Sequence, residues 1–268
     1  MSSQTPDLPP DPFSGLDATQ PVRVLPRHLA GPGPVRLTTV WPFPYDDGWS
    51  LHQLDEETTY AVSSCLRLRT RYALDLAAPG NKAWTIAASR EPFAPAAWAI
   101  TLDAGTPAEL VRDVHAEVLD LYQADGHRGS AQRLFTDDTP PHEAYAQLFA
   151  RGWSHTVDPA NTQVFRAPDG LAGLDYTPGI SGVPVWRAWG GYPGEPHWQA
   201  RFSRGTPPAL VAAFTASLIS TEPLHRTIQD VPFHTRRHLY LATSTPQQTP
   251  PSTPAIAPPP HPGAGRTR

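Results

Sequence analysis

Cysteine is the scarcest resource of this sequence: Cys65 stands alone among 268 residues. One thiol excludes an internal disulfide and any metal site built from several thiolates. No apolar run approaches the roughly 18 residues that a bilayer-spanning helix needs. The opening stretch, MSSQTPDLPPDPFSG, has no basic flank followed by an apolar core, so a signal peptide is not expected. Lysine is nearly absent as well, with Lys82 the single example among 21 basic residues, and asparagine occurs only at 81 and 161. Lysine, asparagine, isoleucine and methionine share AT-rich codons. The bias therefore reads as a high-GC bacterial genome, and the arginine content is not by itself a sign of phosphate recognition. A basic excess is missing too: 21 Lys+Arg against 25 Asp+Glu leave a net charge of -4, which weighs against bulk nucleic-acid binding. The sequence also lacks a Gly-rich phosphate loop, a G-x-S-x-G elbow and an H-E-x-x-H motif. A cytoplasmic, non-enzymatic chain with no cofactor, no bound metal and no membrane contact is expected.

Proline, by contrast, is abundant at 34 residues, and it gathers at the ends. Residues 1–21 and the tail from Ser244 to Arg268 hold too few large apolar groups to offset backbone ordering, so both are expected to be disordered. Between them the chain divides into 22–130, 131–232 and a short basic segment, 233–243.

The middle repeats itself. WAITLDAGTPAELVRDVHAEVL at 98–119 aligns without a gap on WQARFSRGTPPALVAAFTASLI at 198–219. Upstream, Trp84 matches Trp186 and Gly48-Trp49 matches Gly152-Trp153. Three landmarks in one order, the last a 22-residue ungapped match, point to internal duplication. Within each copy Trp98, Ile100 and Leu102, or Trp198, Ala200 and Phe202, alternate as on a strand. Leu110, Val111, Val114 and Val118, or Leu210, Val211, Phe214 and Leu218, then lie on one helical face. Thr106 and Thr206 are expected N-caps, with Glu109 completing a capping box in the first copy only. Further strands are expected around Leu66–Leu74, Thr85–Ala87, Gln163–Phe165 and Leu171–Tyr176, with a turn at Ala167-Pro168-Asp169-Gly170. His142–Arg151 reads as an extra helix. The fold class is α+β: two tandem repeats, each an antiparallel meander followed by a helix on the sheet. The Gly-Trp strands, the Ala-Pro-Asp-Gly turn before Leu-Asp-Tyr, the Thr-Pro helix start and the lead-in Pro26-Arg27-His28-Leu29-Ala30-Gly31 together resemble the SPDY-type domain. This is an actinobacterial family of unknown function, often present twice per chain. Ser63-Ser64-Cys65 departs from the family's Ser-Pro-Asp-Gly turn. The resemblance implies no activity, cofactor or catalytic residue.

Candidate binding residues come from the polar pattern. Arg67, Arg69 and Arg71 alternate with apolar residues, which puts all three on one sheet face. Pairing with Asp55, Glu56 and Glu57 is the favoured role, and tracking of phosphates the alternative. Trp189, which has no counterpart in the first copy, is the aromatic expected at a surface or pocket; the other repeated tryptophans are expected in the core. Arg236 and Arg237, flanked by His234 and His238 at helical spacing, form a basic segment that an anion could meet. Cys65 is expected as a buried structural thiol. The small-residue face of the second helix, Ala212, Ala213 and Ala216, is expected to be covered, chiefly by the chain itself. A protein partner is the first expectation, nucleic acid the second, and an enzyme site at the junction of the copies the third; the sequence leaves the oligomeric state open.

Overall fold

A computed structural model describes residues 10–73, 82–124, 132–136, 139–178 and 185–242. The first nine residues and the Pro-rich tail lie outside the described residues. The described chain opens with β1 (Pro21–Leu25), a 3₁₀ turn at Arg27–Leu29 and a single helical turn, α1 (Leu37–Val40). A meander follows: β2 (Ser50–Gln53), β3 (Thr58–Val62), β4 (Leu68–Ala73), β5 (Lys82–Ser89) and β6 (Ala96–Asp103), then helix α2 (Ala108–Ala124). After α3 (Glu143–Phe149) the same order recurs as β7 (Ser154–Val157), β8 (Gln163–Arg166), β9 (Ala172–Tyr176), β10 (Trp186–Tyr192), β11 (Glu195–Phe202) and α4 (Pro208–Leu218). β12 (Leu224–Thr227), two 3₁₀ turns and β13 (Tyr240–Leu241) complete the described chain.

The two meanders are not separate layers. They join through their last strands into one ten-stranded antiparallel sheet, ordered β2-β3-β4-β5-β6-β11-β10-β9-β8-β7. At the seam Thr101 lies opposite Arg201, Ile100 opposite Phe202 and Leu102 opposite Ala200. Thr101 and Arg201, which match in the sequence alignment, thus face each other, and the flanking pairs are exchanged symmetrically about them, as in an isologous dimer interface made within one chain. Trp98, Ile100 and Leu102 on β6, and Trp198, Ala200 and Phe202 on β11, all point to one face, where α2 and α4 lie against each other and bury it. The six repeated tryptophans are buried there as expected from their alternation. Each seam tryptophan also anchors a segment outside its meander: Trp98 Nε1 donates to the Leu134 carbonyl at 2.6 Å, and Trp198 Nε1 to that of His28 at 3.0 Å. Gly48 and Gly152 occupy the same place in each half, with φ of 82° and 71°, a left-handed turn that lets Trp49 and Trp153 drop into the core.

Four features depart from the sequence reading for identifiable reasons. The threonine caps do not form: α4 starts behind Pro207 with no side-chain cap, and the buried Thr106 and Thr206 hydroxyls have no hydrogen-bond partner among the described residues. Glu109 does not turn back to close a capping box; a buried guanidinium, Arg226, draws it away in a two-pronged pair at 2.7 Å on each oxygen. Arg226 spends its remaining donors on the carbonyls of Ala30, Gly31 and His225. The N-terminal segment is structured from residue 10 onward. Phe13 is 3% exposed in a second apolar cluster with Val24, Leu29, Leu171 and Leu239. Finally, β1 belongs to neither meander. It is the middle strand of a small sheet, β12-β1-β13, that ties the start of the described chain to its end.

The small-residue face of α4 is partly covered from within. Thr215 Oγ1 donates to the Ala144 carbonyl of α3 at 2.6 Å, and Gln147 of α3 donates to the Ala212 carbonyl at 2.7 Å. Ala216 stays exposed.

Candidate functional site

No described helix covers the sheet face opposite α2 and α4. Antiparallel register lines its residues up in cross-strand rows. One row runs His52, Tyr60, Arg71, Thr85, Thr101, Arg201, Arg187, Asp175, Val164 and Thr156, through all ten strands. At about 4.8 Å per strand it extends over roughly 43 Å. Arg187 and Arg201 sit directly opposite each other, a like-charge pairing that disfavours the sheet unless counter-charge is near. Each has some. Arg187 donates to Asp175 at 3.1 Å; Arg201 donates to Gln199 at 2.7 Å and lies 4.0 Å from Asp103. Arg69, one row over on β4, is exposed and makes no ion pair among the described residues. The described face therefore carries Arg69, Arg71, Arg166, Arg187 and Arg201 against Asp103 and Asp175, although the chain as a whole is acidic.

The expected arginine stripe is only partly a stripe. Arg69 and Arg71 share the face. Arg67 lies before the strand, because Leu66 takes a left-handed φ of 57° and postpones β4 to Leu68. Its guanidinium is drawn aside, over the Phe135 ring at 5.1 Å and toward the Ser89 carbonyl at 3.4 Å. The expected ion pairs with Asp55, Glu56 and Glu57 do not form at contact distance. The Asp55 carboxyl is held low mainly by the Glu57 backbone N–H, with a lesser contribution from the charge of Arg71. Arg71 instead lies over Tyr60 at 5.9 Å.

Trp189 is on this face but not available on it. Its indole lies flat on Gly173, where a Cβ would come within 2.5 Å, and Arg166 covers it at 5.1 Å, leaving it 4% exposed. Arg236 and Arg237 lie elsewhere. Arg236 holds its own segment, stacking near Phe13 and Phe233 and donating to the Ile228 and Val231 carbonyls, while Arg237 is exposed. Phe233–His238 is a 3₁₀ helix, in which residues four apart diverge by about 120°. His234 accordingly stacks on His197, and His238 meets the Tyr192 hydroxyl at 3.2 Å. Cys65 is half-buried in the β3–β4 turn rather than buried in a strand, 3.4 Å from Ser63 Oγ.

The largest chemical contrast is in a place the sequence did not single out. A cleft of about 510 Å³ opens at the end of α4, between the lead-in, the β8–β9 turn and β13. Its walls include Pro26, Trp153, Pro168, Ile219 and Tyr240. His28 Nε2 meets Asp169 Oδ2 at 2.8 Å on the wall, and Asp169 Oδ1 accepts the Leu171 N–H at 2.9 Å. Burial opposes the charge on Asp169, but the hydrogen bond and charge of His28 and the Leu171 N–H outweigh it, so the carboxyl is held below its usual range. The signal for this site was present in the Ala-Pro-Asp-Gly turn and in the His of the lead-in. What joins them is separated by 141 residues of sequence.

The family model of SPDY, a domain of unknown function (DUF317), matches residues 62–124 and 166–224. The two segments cover the inner strands and the helix of each half. No curated protein and no solved structure matches the chain. No helix among the described residues is long and apolar enough to cross a membrane.

Proposed function

We propose that the chain is a non-enzymatic, intracellular binding module built from a duplicated α+β unit, and that an acidic segment of a partner protein lies on the sheet face that no described helix covers. The observation that carries this reading is the arginine row, in which Arg187 and Arg201 face each other and Arg71 stands in the same register. Asp175 and Asp103 offset part of this like charge, and an incoming anion would offset more of it, together with that of the exposed Arg69. A protein partner is favoured over nucleic acid because the face offers little to stack a base on: Arg71 lies over Tyr60 and Arg166 over Trp189. An enzyme site at the junction of the halves has less support, since the helix side of the seam is filled by Ile100, Leu102, Ala200 and Phe202 without exposure.

The test is a titration of the full chain with poly-glutamate and, in parallel, with an oligothymidylate at low salt. Poly-glutamate is expected to bind, with a salt-sensitive affinity that falls when Arg71, Arg187 and Arg201 are changed together to Gln. Binding of the oligothymidylate alone would replace the protein partner with a nucleic acid. Binding of neither would end the anionic-partner reading.

A further inference from the structure

We propose that the cleft beside His28 and Asp169 binds a small aromatic molecule bearing a hydrogen-bond donor. The inference comes from what fills the corresponding place in the other half. There the β3–β4 turn, Trp49 and the end of α2 correspond to the β8–β9 turn, Trp153 and the end of α4. In the first half the space between them is occupied by a side chain of the chain itself: Tyr122, whose ring meets Trp49 edge-on at 5.6 Å and whose hydroxyl lies 3.2 Å from Ser64 Oγ, in the turn that holds Cys65. In the second half α4 ends at Leu218, and Glu222, which aligns with Tyr122, is turned outward, its side chain 80% exposed. Arg27 holds it there, donating to its carboxylate at 3.1 Å and to its carbonyl at 3.1 Å. Nothing among the described residues takes the ring's place, and the cleft is the result.

The pocket left behind keeps the features that hold Tyr122. Trp153 supplies the aromatic wall, and Pro26, Ile219 and Tyr240 supply apolar sides. The turn position that is Cys65 in the first half is Asp169 in the second. Its carboxylate accepts from His28 and from the Leu171 N–H, which leaves acceptor capacity for one more donor. A phenol or an aryl amine therefore reproduces both contacts of Tyr122: ring on tryptophan, donor on the turn. This site is separate from the arginine face, and the two readings fail independently.

The probe pair is p-cresol and 4-methylanisole, which differ in the donor alone. Titrated into the full chain and followed by ligand-observed NMR, p-cresol is expected to saturate. The anisole should bind roughly tenfold more weakly or worse, the difference a hydrogen bond to a charged acceptor makes. Asp169→Asn keeps the turn's acceptor for Leu171 and should remove most of that preference. Ile219→Trp, which fills the cleft, should abolish binding of both while circular dichroism stays unchanged. Equal affinities for the two probes, no saturation of either below roughly 10 mM, or p-cresol binding that survives in a folded Ile219→Trp protein would each overturn the proposal. Should Ile219→Trp fail to fold, the ratio of the two probes on the unaltered chain still decides.

Discussion

The two halves share a scaffold and differ where each helix starts and ends. Both run five antiparallel strands into a helix, and both bury the same tryptophans. Yet α2 is 17 residues long and α4 only 11. The longer helix carries Tyr122 into the space over Trp49; the shorter one stops and leaves a cleft over Trp153. At the starts, Glu109 of α2 clamps the buried Arg226, while its counterpart Ala209 leaves α4 lying under α3. Mid-helix, His115 and Thr215 align and are both fully buried, but they satisfy themselves differently. His115 Nδ1 donates to the Val111 carbonyl at 2.9 Å and Nε2 accepts from Thr70 at 2.8 Å; Thr215 donates to Ala144. The strand ladder constrains both halves alike, whereas the helix ends are free to diverge, leaving a filled gap in one half and an open cleft in the other.

If the halves are equivalent at the seam, removing either seam tryptophan should hurt equally. Trp98→Ala and Trp198→Ala are each expected to cost about 3–5 kcal/mol in denaturant unfolding. That is a large share of a typical stability of roughly 5–15 kcal/mol. A large cost at one and a negligible cost at the other would break the equivalence.

The His115–Thr215 difference predicts an acid sensitivity that belongs to the first half. Burial pushes the His115 pKa down to about 3. Its unfolded value is near 6.5, so the unfolded chain takes up the proton first. The stabilising contribution is complete above about pH 6.5 and declines as the pH falls toward about 3, by a few kcal/mol in all. His115→Gln should flatten that slope in unfolding experiments across this range. An unchanged slope would place the acid sensitivity on other groups.

Opening the closed half makes a sharper test of the cleft. Tyr122→Ala should cost about 1–3 kcal/mol, because the ring is only partly buried. It should also give the chain a second p-cresol site, seen as a doubled stoichiometry by calorimetry. An unchanged stoichiometry would show that the two turns are not interchangeable. The smallest effect is expected on the exposed side of α4, where Ala216→Glu should stay within about 0.5 kcal/mol. A larger loss in melting experiments would mean that this position is covered after all.

The sequence by itself determined the local elements, because period two and period 3.6 are short-range patterns that a few residues reveal. The alternations at Trp98 and Trp198, the Ala-Pro-Asp-Gly turn and the α3 helix were all legible in this way. It also determined that the tryptophans lie in the core, since their repetition alongside aliphatics has no other economical cause. Where local pattern misled, a long-range competitor prevailed: Glu109 was expected to cap its own helix, but Arg226, 117 residues away, offers a buried charge to neutralise. Trp189 has no repeat partner and is expected at a surface or pocket, yet Arg166 and the bare backbone of Gly173 enclose it. Only the tertiary structure decided that two meanders would join edge to edge, that Arg187 and Arg201 would meet across adjacent strands, and that His28 would reach Asp169. Strand order, register between distant strands and the filling of a gap depend on which surfaces meet once the chain has closed, and such meetings leave no period in the sequence.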